Sequence, residues 1–369
     1  MGFACGIVGL PNVGKSTLFN ALSSNKAEAA NYPFCTIEPN IGIVPVADPR
    51  MDELVKVVKP KKIVPTTLEF VDIAGLVRGA SKNEGLGNQF LANIRETNAI
   101  AHVVRCFVDD NVVHVEGKVN PVSDVDTIDT ELGLKDLESI EKRMARAQKG
   151  MKGVDAKTEK PMYDLCVKLS TGLNDGVPIR AQKLEPEEWV LVHELQLLTS
   201  KRVFYVANVS EGQIADADAG KDPLVEQLRV RADKEGAPLV VICAAAEAEI
   251  ATLEPAERPD FLASLGLTEP GLNKVVRTGY KLLDLITYFT AGETEVRAWT
   301  IKKGTKAPGA AGVIHTDFEK GFIKAEIIWW EDLVKFGSEA ACRANAKLAI
   351  EGKEYVMRDG DTAHFRFNV

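Results

Sequence analysis

Residues 5–22 read Cys5-Gly6-Ile7-Val8-Gly9-Leu10-Pro11-Asn12-Val13-Gly14-Lys15-Ser16-Thr17-Leu18-Phe19-Asn20-Ala21-Leu22, and their order decides the fold. Cys5 to Leu10 is a short apolar run, and the residues after Lys15-Ser16 have helical spacing without a breaker. The predicted order is strand, glycine loop, helix. In G-x-x-x-x-G-K-S the glycines let backbone N–H groups wrap phosphates, the lysine reaches the outer phosphates, and the serine hydroxyl ligates Mg²⁺. The helix that follows turns its positive end toward the same phosphates. The predicted nucleotide contacts on this loop are Asn12, Val13, Gly14, Lys15, Ser16 and Thr17, with Ser16 also a metal ligand. Short motifs recur by chance, but the position between a strand and a helix favours a phosphate site over an incidental turn.

Working outward, Thr67 to Ile73, Ala101 to Phe107, Arg202 to Asn208 and Leu239 to Ala244 read as buried strands, each apolar or β-branched and followed by a polar or glycine-bearing loop. This is an α/β pattern with a mostly parallel sheet. Between Ala101 to Phe107 and Arg202 to Asn208 the composition turns helical, and Leu137, Ile140, Met144, Ala147 and Met151 form a short heptad seam. Gly150 and Gly153 mark a turn, and helical stretches follow at Tyr163 to Leu173 and at Trp189 to Leu198 behind Glu185-Pro186. An amphipathic core helix would show the same spacing. An insertion between sheet strands must leave and return to one edge, however, which an antiparallel helical hairpin does. After about residue 280, strand-like Val296 to Ile301 and Ala325 to Trp330 predict a small α+β domain, with Gly304 to Gly312 as a loop.

At 369 residues the chain exceeds what one core serves, so a large domain and at least one smaller module are expected. No stretch approaches the roughly 20 apolar residues that cross a bilayer. The beginning lacks the basic segment of a signal peptide, and the six cysteines show no C-x-x-C pair, so a cytoplasmic protein with reduced thiols, no membrane and no zinc is expected. The net charge of -8 argues against a uniformly basic nucleic-acid binder. The runs Lys56 to Lys62 and Lys302 to Lys306 read as solvated surface unless the fold joins them.

Asp72-Ile73-Ala74-Gly75 lies at the end of a predicted strand, where a carboxylate can hold Mg²⁺ through water and the Gly75 N–H can meet the γ-phosphate. Thr36, in Asn31-Tyr32-Pro33-Phe34-Cys35-Thr36, can give a second hydroxyl to the metal. Taken together, G-x-P-N-V-G-K-S, N-Y-P-F-C-T-I-E-P-N and D-I-A-G-L-V-R-G-A-S resemble the Obg-related translation-factor GTPases, and most closely the Obg-like ATPase family known as YchF. The resemblance spans nearly the whole chain. It implies an Obg-type nucleotide-binding G domain at 1–283 with a helical coiled-coil insertion at about 128–200, and a TGS domain at 284–367.

Base choice turns on Asn208-Val209-Ser210-Glu211. Relatives that bind guanine use N-K-x-D, whose aspartate accepts from the guanine N1–H and N2 amino group. Here the lysine is absent and glutamate replaces aspartate. Adenine instead needs an acceptor for its N6 amino group and a donor for N7 or N1, which the Asn208 side chain and the Val209 backbone can supply. Cys243 stands where the family's base-packing loop usually begins with serine.

Leu76 occupies the place of the water-orienting glutamine of Ras-like proteins and cannot do its work. The resemblance offers His114 for hydrolysis, where the residues alone would read a surface-loop histidine, and its ordinary pKa suits handling a water. Arg78 is a candidate for transition-state charge, with an exposed loop arginine as its plain alternative. Asn12 resembles a loop asparagine that coordinates K⁺ in related NTPases. The resemblance implies an ATP-driven switch acting on the ribosome or its large subunit and RNA, by a protein that is a monomer when free. A ribosome-associated GTPase and a non-catalytic, nucleotide-responsive RNA-binding protein are the alternatives. The Asn208 to Glu211 tetrad speaks against the first and the intact Gly14, Lys15, Ser16, Thr36 and Asp72 against the second.

Overall fold

The apolar run ahead of the glycine loop forms β1 (Ala4–Val8) and the run behind it forms α1 (Lys15–Ser24). The computed structural model describes residues 3–24, 40–73, 93–115, 117–152 and 156–368; Thr36, Gly75, Leu76 and Arg78 lie outside the described residues. The chain continues through β2 (Ile41–Pro45), α2 (Pro49–Val58), β3 (Lys62–Val64), β4 (Thr67–Asp72) and β5 (Ala99–Arg105). The insertion follows as α3 (Pro121–Gly150), α4 (Ala156–Asn174) and α5 (Pro186–Leu195). Then come β6 (Arg202–Asn208), α6 (Ile214–Asp218), α7 (Pro223–Glu235), β7 (Leu239–Ile242), α8 (Ala244–Thr252), α9 (Arg258–Ser264) and α10 (Gly271–Leu282). The last part is β8 (Leu285–Ala291), β9 (Glu295–Lys302), α11 (Ala307–Ile314), α12 (Thr316–Lys320), β10 (Phe322–Trp329), α13 (Trp330–Phe336), α14 (Glu339–Ala344), β11 (Leu348–Glu351) and β12 (Asp361–Phe367).

These elements make two compact units, and 43–68 belongs with 276–368, not with the nucleotide domain in which the sequence reading had it. Side-chain packing gives the reason. The amphipathic α2 buries Met51 and Leu54 with Phe289, Val296 and Ile328, and β3 pairs parallel with β9. The unit's sheet has the order β11-β10-β12-β8-β9-β3 and mixes parallel with antiparallel pairs. The expected loop at Gly304 to Gly312 is instead largely α11. Pro308 sits in its first turn, where no backbone donor is needed, and Ala307, Ala310 and Ala311 are buried.

The other sheet has the order β2-β4-β1-β5-β6-β7, and β4, β1, β5, β6 and β7 run parallel. All seven residues of β5 are buried, as expected of a central strand covered on both faces. The insertion combines both expected behaviours. The near half of α3 buries Val125, Ile128 and Leu132 and packs on β5 and α7. The far half packs along α4, where Ile140 joins Met162, Leu165, Cys166 and Leu169 in a separate small core. Buried Asp136 accepts from the Leu198 N–H (2.8 Å), the Thr199 N–H (2.7 Å) and the Thr199 hydroxyl (2.7 Å), fastening the returning chain to α3. Arg180 pairs with Asp129 at 2.7 Å and Glu235 at 3.0 Å, while Arg231 pairs with Glu235 and with Asp129 at 3.3 Å.

His102 on β5 lies beside this network, its ring 5.6 Å from that of Tyr205, with Asp129, Arg180, Arg231 and Lys15 as charged neighbours. Burial pushes its imidazole down to about 4. The fold thus holds His102 neutral where the unfolded chain, with an ordinary histidine pKa near 6.5, takes up a proton. Its stabilising contribution is complete above about pH 6.5 and is lost as the pH falls toward about 4. Urea unfolding midpoints should therefore decline across that window, and His102→Phe should flatten part of the decline. An unaltered pH profile in the variant would remove His102 as its source.

Candidate phosphate-binding site

Strand register builds the site. Ile7 lies opposite Asp72, Val8 opposite His102, Arg105 opposite Asn208, and Asn208 opposite Ile242. The carboxyl ends of five parallel strands therefore open on one edge, with β1 between β4 and β5. Ligands of open α/β sheets bind at this edge.

The glycine loop is shaped by two left-handed residues, Asn12 with φ 61° and Gly14 with φ 96°. A Cβ at Gly14 would run into the Asn208 amide, and one at Gly9 into the Val103 carbonyl, so both close approaches require glycine. Ser16 and Thr17 are exposed at the start of α1. Lys15 is buried, and its Nζ donates to the Leu10 carbonyl at 3.1 Å. Burial lowers the Lys15 pKa and raises that of Asp72, and their mutual attraction opposes both shifts. Among the described residues, buried Asp72 Oδ1 has no hydrogen-bond partner. An unsatisfied carboxylate oxygen at the end of β4, together with the exposed Ser16 hydroxyl, is an oxygen donor set suited to Mg²⁺. The other expected ligand, Thr36, and the γ-phosphate contact Gly75 lie outside the described residues.

On the other side, buried Asn208 works as a brace. Its Nδ2 donates to the Val13 carbonyl at 2.9 Å, and its Oδ1 accepts from the Ala244 N–H at 2.9 Å. The side chain expected to face a base is thus largely occupied in joining the glycine loop to the start of α8. One amide hydrogen and one lone pair remain. The Val209 N–H, expected as a donor to the base, is given to the Ile242 carbonyl at 2.9 Å, because β6 continues its pairing with β7; only its carbonyl is left for a ligand. Gln213 accepts from the Ser210 N–H and hydroxyl and donates to Asp222 and the Cys106 carbonyl, while Glu211 stays exposed.

His114 is not a surface histidine. It is buried with Nε2 3.0 Å from Asp124 Oδ2, in the first turn of α3. Its loop touches the glycine loop directly, since Asn12 Nδ2 donates to the Val113 carbonyl at 3.1 Å. The loop is shaped from beneath by Arg105, whose buried guanidinium donates to the carbonyls of Phe107 (3.1 Å), Val112 (3.0 Å) and Asp109 (3.2 Å). Sequence reasoning missed Arg105 and Asp124. The one available signal was a charge closing the apolar run His102-Val103-Val104-Arg105, at the end of a strand where function gathers.

Comparison with known proteins supplies independent findings. Residues 4–147 match the family described as 50S ribosome-binding GTPase, and residues 285–368 match the YchF-GTPase C-terminal family, described as a protein of unknown function. The chain is 56% identical to the ribosome-binding ATPase YchF of Haemophilus influenzae and 53% identical to that of Bacillus subtilis, over 100% of both chains in each case. The structure of the Schizosaccharomyces pombe YchF GTPase superposes with a TM-score of 0.87 at 41% identity, covering 99% of this chain and 98% of that one.

Asn208→Ala should release the Val13 carbonyl and strand the Ala244 N–H. Losing a buried bond of this kind costs about 1–3 kcal/mol, so nucleotide Kd should rise by about 5- to 150-fold. Calorimetric titration checks this, and an unchanged Kd would show that the brace is not needed for binding.

Proposed function

Because the chain belongs to the YchF family, we propose that it binds and hydrolyses ATP with Mg²⁺ at this phosphate site and acts as a nucleotide-dependent switch on the ribosome. The observation that carries the choice of ATP is the end of β6. Guanine recognition needs a carboxylate aimed at the N1–H and N2 amino edge, whereas Glu211 is exposed and the lysine of N-K-x-D is replaced by Val209. The Val209 carbonyl is the acceptor we assign to the adenine N6 amino group, and the second amide hydrogen of Asn208 the donor to N7. A GTPase is the second reading, favoured by the description of the family matched at 4–147 and by that of the Schizosaccharomyces pombe structure.

Lys15, now donating to the Leu10 carbonyl, exchanges that acceptor for a phosphate oxygen, and the free N–H groups at the start of α1 take others. Mg²⁺, when bound, would supply positive charge for the β- and γ-phosphates. Ser16 and Thr36 would hold it by their hydroxyls, with Asp72 beside it as a further oxygen donor. The switch we assign, as in related NTPases, to the recognition of the γ-phosphate by Thr36 and Gly75. Since Leu76 cannot orient a water, we assign that role to His114, after it parts from Asp124. Arg78 is the remaining candidate for transition-state charge. The Asn12 amide nitrogen is engaged with Val113, which leaves its oxygen as the contact for K⁺. We place its work in the cytoplasm, as a monomer when free; among the described residues no helix is long and apolar enough to cross a membrane.

Competition of ATP against GTP for the purified protein should favour ATP, and equal or tighter GTP binding would overturn that assignment. Turnover should rise when ribosomes are added. His114→Ala should bind ATP as the wild type does but turn it over about 100-fold more slowly, the usual scale of a lost acid–base group. Unchanged turnover would remove His114 from the mechanism.

A further inference from the structure

The second unit contains a cleft of about 900 Å³, a volume within the range of ligand sites. None of its lining residues belongs to the unit that carries the glycine loop. Its origin is a fork in the sheet. β8 pairs with β9 along all seven of its residues, and β12 pairs with β10 from Asp361 to Phe367. β8 and β12 are neighbours too, but they are in register at Phe289 and Thr362 alone. Past that point, among the described residues, 290–291 of β8 and 363–367 of β12 have no ladder partner on the sides that face each other. Strand backbone left open in this way is a template for a further chain.

Thr362 stands at the fork. It is 7% exposed and lines the cleft, and its hydroxyl is buried with no hydrogen-bond partner among the described residues. Folded proteins leave few such groups unsatisfied. The walls suit a strand in particular, because strand side chains alternate between the two faces of a sheet and the cleft opens on both. On one face Trp299, Phe318 and Phe365 belong to the core beneath α11 and α12; on the other, Val58, Ile328 and Leu333 belong to the core beneath α2 and α13. An apolar side chain of either parity would therefore meet an apolar wall.

Charge narrows the occupant further. The lining includes Glu293, Glu295, Glu326 and Glu339 but neither lysine nor arginine. Lys62, Arg366 and Arg343 pair with the last three from outside the lining, whereas Glu293 is exposed and makes no ion pair among the described residues.

We infer that the fork between β8 and β12 binds an extended segment of another polypeptide, apolar at its centre and bearing lysine or arginine at its ends. Its N–H and C=O groups pair with the open edges of the two strands, the Thr362 hydroxyl bonds to its backbone, and its basic ends meet Glu293 and Glu339. In recognition by strand addition the backbone supplies affinity and the pockets for alternate side chains supply specificity. The site calls on no residue of the phosphate site.

The test uses the full-length protein and a labelled octapeptide, Lys-Lys-Val-Phe-Val-Phe-Lys-Lys, followed by fluorescence anisotropy. One companion peptide carries N-methyl groups on alternate central residues, and another has glutamate in place of lysine. The parent peptide should bind saturably and each companion about tenfold more weakly, the first for want of backbone donors and the second for its charge. Thr362→Val keeps the shape and removes an atom that has no partner in the free protein, so the melting temperature should not fall while peptide binding weakens about threefold to tenfold. Glu293→Lys combined with Glu339→Lys, both exposed positions, should weaken binding and remove most of its salt dependence, and keeps the test open if the Thr362 variant unfolds. ATP turnover should be the same in all three proteins. Absence of saturable binding at millimolar peptide would overturn the inference. So would full affinity for the N-methylated peptide, or wild-type binding by the variants, which would place the peptide elsewhere. Displacement of the peptide by a single-stranded RNA oligonucleotide would assign the cleft to nucleic acid, and a dimer of the free protein that these substitutions dissociate would assign it to a second copy; either result overturns the inference as well.

Discussion

A single buried amide holds the site together. Asn208 spans from the Val13 carbonyl to the Ala244 N–H, and Gly14 must lack a side chain for it to do so. The glycine loop between β1 and α1 is thereby fastened to the start of α8, and what lies at the end of β6 is set in register with what lies at the end of β1. Position depends on the parallel pairing beneath, because Asn208 faces Arg105 on one side and Ile242 on the other. A one-residue slip in either pair would turn the amide to the opposite face of the sheet.

The same economy governs the neighbouring loop. Arg105 spends its guanidinium on three backbone carbonyls, not on a carboxylate, so the path from Phe107 to Val112 is fixed without bringing a negative charge to the phosphate site. Asn12 then joins that loop to the glycine loop through Val113. Two side chains whose hydrogen bonds go to the backbone, Arg105 and Asn208, thus decide where Asn12, Lys15 and His114 stand.

Much of this was legible in the sequence, and the remainder was hidden for identifiable reasons. The strand, loop and helix at 4–24 and the strands ending at Asp72 and Asn208 follow from local apolar runs, which is how buried parallel strands announce themselves. The occupation of the Val209 N–H and the Asn208 amide depends on pairing with β7 and packing on α8, partners far away in sequence. The membership of 43–68 in the second unit is equally non-local: the amphipathic α2 shows that it needs a core but not which one. At α11, glycines and a proline suggested a loop because their effect on an isolated helix is unfavourable, whereas buried Ala310 and Ala311 gain more from close packing than the glycines lose.

The arrangement of charge along α3 ties these threads together. Its near half turns carboxylates inward, with Asp124 beside His114, Asp129 on Arg180 and Arg231, and Asp136 on the N–H groups of Leu198 and Thr199. Its far half turns cations outward. Acids toward the N-terminus and bases toward the C-terminus both complement the helix dipole, but that effect fades within about a turn of each end, so it accounts for Lys149 and not for Lys142 or Arg146. The inward acids are explained by their partners within the chain. Among the described residues the outward Lys142, Arg146 and Lys149 have no such partners and stand exposed to solvent.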